Sequence, residues 1–151
     1  MFRGISRINL DAKGRLAIPT RYRDELRECC DSELVLTVDP DRCLLIYPLP
    51  DWVRIEQVLM NLPNLKESAR ILQRLMVGHA TEVQMDGQGR VLLPTPLREF
   101  AGLEKQTVMI GQGAKFELWD EAHWNAEQDS WLKKADMEQL KTAPELDGLS
   151  I

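Results

Sequence analysis

An internal repeat constrains this chain more than any other feature of its sequence. The segment LDAKGRLAIPTRYRDEL (10–26) aligns with MDGQGRVLLPTPLREFA (85–101) at an offset of 75 residues. Six residues of the first segment are identical in the second: Asp11, Gly14, Arg15, Pro19, Thr20 and Arg23 match Asp86, Gly89, Arg90, Pro94, Thr95 and Arg98. Aromatic residues then match at an offset of 72, Tyr47 with Trp119 and Trp52 with Trp124. Self-similarity at a fixed offset indicates a duplicated structural unit.

The two copies predict the same first structural elements. A short apolar stretch ends at Leu10 or Met85 and leads into a tight turn. In that turn Gly14 or Gly89 can adopt a positive φ, and the aspartate can accept hydrogen bonds from backbone amides. A second short strand follows and stops at a proline. We therefore expect a local β-hairpin in each copy.

A short helix and two more strands are expected after each proline. In the second copy Thr95 is the expected helix cap, with Gly102 just past the helix end, and Thr20 is the expected cap in the first copy. The strand pair of the second copy is TVMIGQGAKFELW, with Gly111 and Gly113 expected in its turn. A copy of this size is too small to bury its own core, so the copies must pack on each other, on helices or on other subunits.

Amphipathic segments lie between the copies and after the second one. Apolar residues spaced three and four apart predict a helical hairpin from about residue 52 to residue 76. A further helix is predicted from 121, with both Trp124 and Trp131 on one face, followed by a frayed tail over 141–151.

Charge is distributed unevenly along the chain. The net charge of −5 argues, taken alone, against a nucleic-acid partner. Residues 2–23, however, carry six cations against one acid, whereas residues 117–151 carry three lysines against nine acids. Such asymmetry hints at nucleic-acid contact at the basic end, and uneven surface charge without a function is the alternative.

Several classes of protein are not expected. Adjacent Cys29 and Cys30 and the distant Cys43 form no metal-binding spacing and fit reduced thiols. No apolar run approaches the roughly 18 residues that span a bilayer, and the first residues do not resemble a secretory signal. Asp11 beside Arg15 would have a lowered pKa and be a poor general acid or base. We therefore expect a cytoplasmic protein that is not an enzyme and has no membrane partner, catalytic residue, metal or cofactor.

The first turn carries the basic residues that could bind DNA. Lys13 and Arg15 lie in a turn that could present phosphate contacts and arginine bonds to guanine edges. A two-stranded ribbon fits a major groove about 12 Å wide. The flanking cations in the first copy are Arg3, Arg7, Arg21 and Arg23. The corresponding window of the second copy, 77–98, has two arginines against two acids, which makes the first copy the better candidate.

The repeated pattern Asp-x-x-Gly-Arg, apolar, x, apolar, Pro resembles the AbrB-like (SpoVT-AbrB) swapped-hairpin DNA-binding domain. Two such copies in about 150 residues resemble the bacterial MraZ family. The resemblance implies an α+β fold, mainly β-hairpins with flanking helices, in a tandem pseudo-symmetric swapped-hairpin barrel with connecting and C-terminal helices. The expected division is 5–52 and 79–124 for the two AbrB-like copies, 53–78 for a helical connector, and 125–151 for a C-terminal helix and tail.

The resemblance also implies a function. Members of this family are transcriptional regulators, usually repressors, that bind short repeats upstream of the division and cell-wall gene cluster, form ring oligomers and associate with the nucleoid. The family's D-x-x-x-R residues map onto Asp11 with Arg15 and Asp86 with Arg90. Together with the basic cluster of the first copy, the expected DNA-binding residues are Arg15, Lys13, Arg3, Arg7, Arg21, Arg23 and Arg90. The expected turn-structuring residues are Asp11, Gly14, Asp86 and Gly89. The alternative is an AbrB-like protein-interaction module, such as an antitoxin-type partner.

Overall fold

A computed structural model describes residues 1–135, 144–146 and 148. Within them the strands are β1 (Phe2–Asn9), β2 (Arg15–Ala17), β3 (Glu33–Val38), β4 (Leu44–Pro48), β5 (Thr81–Gln84), β6 (Arg90–Leu92), β7 (Gln106–Gly113) and β8 (Lys115–Asp120). The α-helices are α1 (Thr20–Cys30), α2 (Leu49–Met60), α3 (Glu67–Leu72), α4 (Thr95–Phe100) and α5 (Glu121–Lys134). A π-helical segment, Gln73–Val77, continues α3, and Pro144–Leu146 form a 3-10 turn. None of the described helices is long and apolar enough to cross a membrane.

The strands form a six-stranded antiparallel sheet and a separate two-stranded ribbon. The sheet order is β1-β7-β8-β4-β3-β5, and the ribbon is β2-β6. If each strand is exchanged for its counterpart in the other copy, β1 for β5 and so on, the sheet order reads the same in reverse. The α+β class and the tandem pseudo-symmetric arrangement of two repeats are therefore confirmed.

The predicted local hairpin is wrong, because strands are exchanged between the copies. β1 pairs along its whole length with β7 of the second copy, from Phe2 opposite Gly113 to Asn9 opposite Gln106. β5 pairs in the same way with β3 of the first copy. β2 pairs with β6, not with β1. Each tight turn therefore carries the chain from the sheet to the ribbon, as the resemblance implied for a swapped hairpin.

The core lies between one face of the sheet and the ribbon with its helices. Leu16 and Val91, directly opposite each other in the ribbon, are fully buried. The same cluster includes Phe2, Ile18, Tyr22, Leu26, Leu36, Ile46, Leu93, Leu97, Phe116 and Leu118. Alternate residues of a strand point to opposite faces, so one residue of every two in these strands serves this core. Neither copy encloses this core alone.

The connector forms the predicted helical hairpin. On α2, Trp52 and Leu59 are buried, and the Trp52 ring lies 5.6 Å from the ring of Tyr47 on β4. The Thr37 hydroxyl on β3 donates 2.5 Å to the carbonyl oxygen of Met76 in the π-helical segment. The division into segments at 52, 78 and 124 stays a prediction.

Two compact units divide the chain after Glu121. In the second unit, α5 brings the rings of Trp124 and Trp131 to 5.5 Å, which confirms that they share a helix face. The predicted helix continues to about 140, and its last residues, with most of the tail over 141–151, lie outside the described residues.

The predicted threonine caps are wrong by one position. Pro19 and Pro94 are the capping residues, and Thr20 and Thr95 are already helical, without a side-chain capping bond. The proline carbonyls accept the first helical bonds, from Tyr22 N at 3.0 Å and from Leu97 N at 3.1 Å. Each proline has an extended backbone, with φ of −53° or −58°, so it ends the strand segment and starts the helix.

Gly111 is not in the β7–β8 turn, in contrast to the prediction. It lies inside β7 opposite Gly4, where an added Cβ would come 2.7 Å from Arg3 Cα. Gly113 ends β7 with a φ of +77° and leads into the turn at Ala114, as expected. The glycine inside the strand allows close approach of β1 rather than a change of direction.

Candidate nucleic-acid interface

The turn between β1 and β2 is organised by one carboxylate. Asp11 Oδ1 accepts hydrogen bonds from the backbone amides of Lys13 and Arg15, both at 2.9 Å. Its Oδ2 accepts from Arg15 Nε at 2.6 Å. The Asp11 carbonyl accepts from Gly14 N at 3.0 Å. One aspartate therefore shapes the turn and fixes the Arg15 side chain at its Nε atom.

The turn between β5 and β6 repeats this geometry. Asp86 Oδ1 accepts from the amides of Gln88 and Arg90 at 2.9 Å, and Oδ2 accepts from Arg90 Nε at 3.1 Å. The backbone amide of Arg90 is the main cause that lowers the pKa of Asp86, and the amide of Arg15 likewise lowers the pKa of Asp11. The lowered pKa values favour the ionised form of both carboxylates, which is the form that accepts these hydrogen bonds.

Each turn is closed by an arginine from the other copy. Gly14 has a φ of +78°, and its carbonyl accepts from Leu93 N at 3.1 Å. Arg98 of α4 lies over this glycine and donates from Nε to the carbonyl of Leu93 at 3.1 Å. A side chain at position 14 would strike the guanidinium.

The reciprocal contact is present at the second turn. Gly89 has a φ of +79°, and its carbonyl accepts from Ile18 N at 2.8 Å. Arg23 of α1 covers it and donates from Nε to the carbonyl of Ile18 at 2.8 Å. Arg23, predicted as a DNA contact, is half-buried in this junction between the copies.

The outer face of the ribbon carries both turn arginines. Arg15 lies opposite Leu92, and Ala17 lies opposite Arg90. Since the alternate residues Leu16 and Val91 point into the core, these four point outward. Arg15 and Arg90 therefore share one face, at opposite ends of the ribbon, and their side chains are 27% and 33% exposed. Sequence reasoning had assigned them to separate hairpins.

Arg3 and Arg7 do not join this face. They alternate along β1 with Phe2 and Ile8, which pack toward the core under the ribbon, so both arginines point to the opposite face of the sheet. Arg7 Nη1 lies 3.4 Å from Glu121 Oε2. Both remain exposed.

Arg21 is held against β1. Its Nη2 donates to Ser6 Oγ at 2.7 Å, and its guanidinium lies 4.7 Å from the centre of the Tyr22 ring. The Tyr22 hydroxyl in turn donates to the carbonyl of Arg3. These contacts anchor the start of α1 to the sheet edge.

Arg27 is a basic residue that sequence reasoning missed. Its Nη2 donates to the carbonyl of Gly87 at 3.3 Å, which brings a cation from α1 to the turn of the second copy. Sixty positions separate the two residues along the chain. The available signal was a difference between copies: position 88 is glutamine where the first copy has Lys13, and position 102, the counterpart of 27, is glycine.

Comparison with known proteins agrees with the duplication. The family model described as "MraZ protein, putative antitoxin-like" matches twice, over residues 1–75 and 76–144. Proteins named "Transcriptional regulator MraZ" from Thioalkalivibrio sulfidiphilus and Nitrosomonas europaea are 57% and 52% identical over 151 residues, with all of both chains covered. A protein of the same name from Halorhodospira halophila is 54% identical over 152 residues, again with all of both chains covered. The chain belongs to the MraZ family.

Proposed function

We propose that this protein is a transcriptional regulator that binds double-stranded DNA with the outer face of the β2–β6 ribbon and its two turns. The observation that carries the proposal is the placement of Arg15 and Arg90 on one exposed face of a two-stranded ribbon. A ribbon of this kind enters the major groove, where arginines can bond guanine edges. The names of the relatives support the regulatory role.

The residues divide into three roles in this proposal. Arg15 and Arg90 contact base edges, and exposed Lys13 contacts phosphate. Asp11 and Asp86, with the two turn glycines, hold the turns in shape. Arg23, like Arg98, closes the junction between copies, so its contribution to DNA binding acts through the turn. The phosphate contacts predicted for Arg3, Arg7 and Arg21 stay predictions. Arg3 and Arg7 lie on the sheet face opposite the ribbon, so DNA bound on the ribbon would not reach them directly.

The finer biological role follows from the family resemblance. We propose a sequence-specific repressor of the division and cell-wall gene cluster that is cytoplasmic and nucleoid-associated. A ring of subunits would present several ribbons in a row, so weak single contacts would combine on repeated promoter sites. Mass measurement of the particle with and without DNA tests the ring.

Gel-shift titration tests DNA binding itself. The probes are promoter DNA with its short repeats intact and the same DNA with the repeats scrambled. We expect tighter binding to intact repeats and an affinity that falls steeply between low and physiological salt, since neutralised phosphates release counterions. Equal affinity for both probes would remove sequence specificity, and affinity that is insensitive to salt would contradict phosphate contact.

The alternative is a protein-interaction module such as an antitoxin-type partner. The wording "antitoxin-like" in the family description favours it. It predicts that the purified protein binds neither probe even though its ribbon is correctly folded. The two candidates therefore differ in the outcome of the same titration.

A further inference from the structure

We propose that Arg27 supplies the second turn with the phosphate-binding cation that its own sequence lacks. This inference rests on the proposed DNA binding. Both turns could then contact phosphate. The first turn would use Lys13 from its own sequence, and the second would use Arg27 from α1.

The two turns have the same backbone and different charges. Lys13 N and Gln88 N donate to their turn aspartates at the same distance, 2.9 Å, so the two side chains leave equivalent positions. Lysine at 13 gives the first turn two cations against one acid, and glutamine at 88 leaves the second with one of each. If both turns meet DNA, the second is one cation short.

Arg27 is placed to replace that cation. Its guanidinium reaches the second turn at the carbonyl of Gly87, the residue just before Gln88. The pseudo-symmetric position near the first turn is Gly102, which has no side chain. The two turns therefore differ at two positions, and the differences compensate in charge. The first turn has Lys13, and the helix near it is followed by Gly102; the second turn has Gln88, and the helix near it offers Arg27.

The local partners of Arg27 leave it accessible. Its side chain is 42% exposed, and Nη1 lies 3.3 Å from Asp24 Oδ1, on a side chain that is itself 91% exposed. An exposed pair of this kind is weak and screened by salt. A guanidinium has five N–H donors, so the two contacts leave donors for a phosphate oxygen.

The salt dependence of DNA affinity tests the proposal. Arg27→Gln should lower affinity several-fold and reduce the slope of log K against log salt by about 0.9 for each bound subunit. The double variant Arg27→Gln/Gln88→Lys should restore both values, because the new lysine occupies the position equivalent to Lys13. The probe is the repeated promoter DNA used for the wild-type titration.

Arg54→Gln is the matched control. Arg54 is an exposed helical arginine paired with an aspartate three residues earlier, as Arg27 is. It lies on α2, which packs on the other face of the sheet, because Trp52 of α2 contacts Tyr47, and Tyr47 alternates on β4 with the core residue Ile46. It should leave affinity and slope unchanged. Melting temperatures of all variants should match the wild type.

Three results would overturn the proposal. The first is an Arg27→Gln protein with wild-type affinity and slope. The second is reduced affinity with an unchanged slope, which would assign Arg27 only to buttressing the turn. The third is failure of Gln88→Lys to restore the slope. If wild-type protein shows no salt-dependent binding, the proposed function fails instead, so the two failures are distinguishable.

Discussion

Arg98, on the helix of the second copy, lies across Gly14 in the turn of the first, where an added Cβ would come 2.7 Å from the guanidinium carbon. Arg23 and Gly89 form the reciprocal contact. The shape of each turn therefore depends on the other copy. A ribbon assembled in this way cannot form from one copy alone.

Gly14→Ala should destabilise the protein by about 1–2 kcal/mol from the left-handed backbone alone, with further cost from the clash with Arg98. Denaturant unfolding measures the change. Gly87→Ala is the control, since nothing lies within 4 Å of its Cβ position and the first copy has alanine there, as Ala12. Equal stability of the two variants would contradict the role given to the Arg98–Gly14 contact.

Leu16→Ala should lower the free energy of unfolding by about 2–5 kcal/mol, because the side chain is fully buried between the ribbon and the sheet. Leu92→Ala, in the same ribbon but 58% exposed, should change it by less than about 0.5 kcal/mol. Thermal or urea unfolding would show the difference. Comparable losses would mean that the ribbon does not have one buried face and one exposed face.

The turn aspartates should make stability depend on pH in acid. Their folded pKa values are lowered, so the stabilisation is present above the unfolded value of about 3.9 and is lost as pH falls through the folded value. Asp11→Asn should therefore be less stable than wild type at neutral pH, and the gap should narrow below about pH 4. Urea unfolding at both pH values measures the gap. If the difference in stability between the two proteins were the same at both pH values, the charge of the Asp11 carboxylate would not be the cause of it.

The cysteines should differ sharply in thiol reactivity. Cys29 is exposed, whereas burial raises the pKa of the Cys30 thiol to about 12 and raises that of Cys43 as well. Since the thiolate is the reactive form, a chromogenic disulfide reagent at pH 8 should titrate one thiol in native protein and three after denaturation. Cys29→Ser should abolish the native reaction. Rapid reaction of that variant would show that Cys30 or Cys43 is accessible.

The repeat predicted the elements well because their signals are local. The turn at Asp11, the stop at Pro19 and the apolar spacing of the connector each depend on a few adjacent residues. Strand pairing is not local, however, and the pattern around β1 fits a neighbour in its own copy as well as it fits β7. From the sequence, only the family resemblance indicated the exchange. In the structure, the pairing of Phe2 with Gly113 shows it directly.

The candidate site was predictable in composition and not in arrangement. Charge counting selected Lys13 and Arg15. It also grouped Arg3 and Arg7 with them, because residues close in sequence were assumed to be close in space. Strand alternation separates β1 cations from the ribbon face. Arg90 received less weight than Arg15 in the charge count, because its neighbours in sequence are neutral overall. Its neighbours in the ribbon, however, include Ala17, two residues from Arg15.

The most direct test of the ribbon interface is the affinity of Arg15→Ala and Arg90→Ala proteins for repeated promoter DNA, measured by fluorescence anisotropy at fixed salt beside wild type and Arg54→Ala. If both arginines contact base edges from one ribbon, each variant should bind the intact repeats at least about tenfold more weakly and discriminate less against scrambled repeats, with melting temperatures near wild type. Arg54→Ala should bind as wild type does. Wild-type affinity of the Arg15→Ala protein would contradict the account.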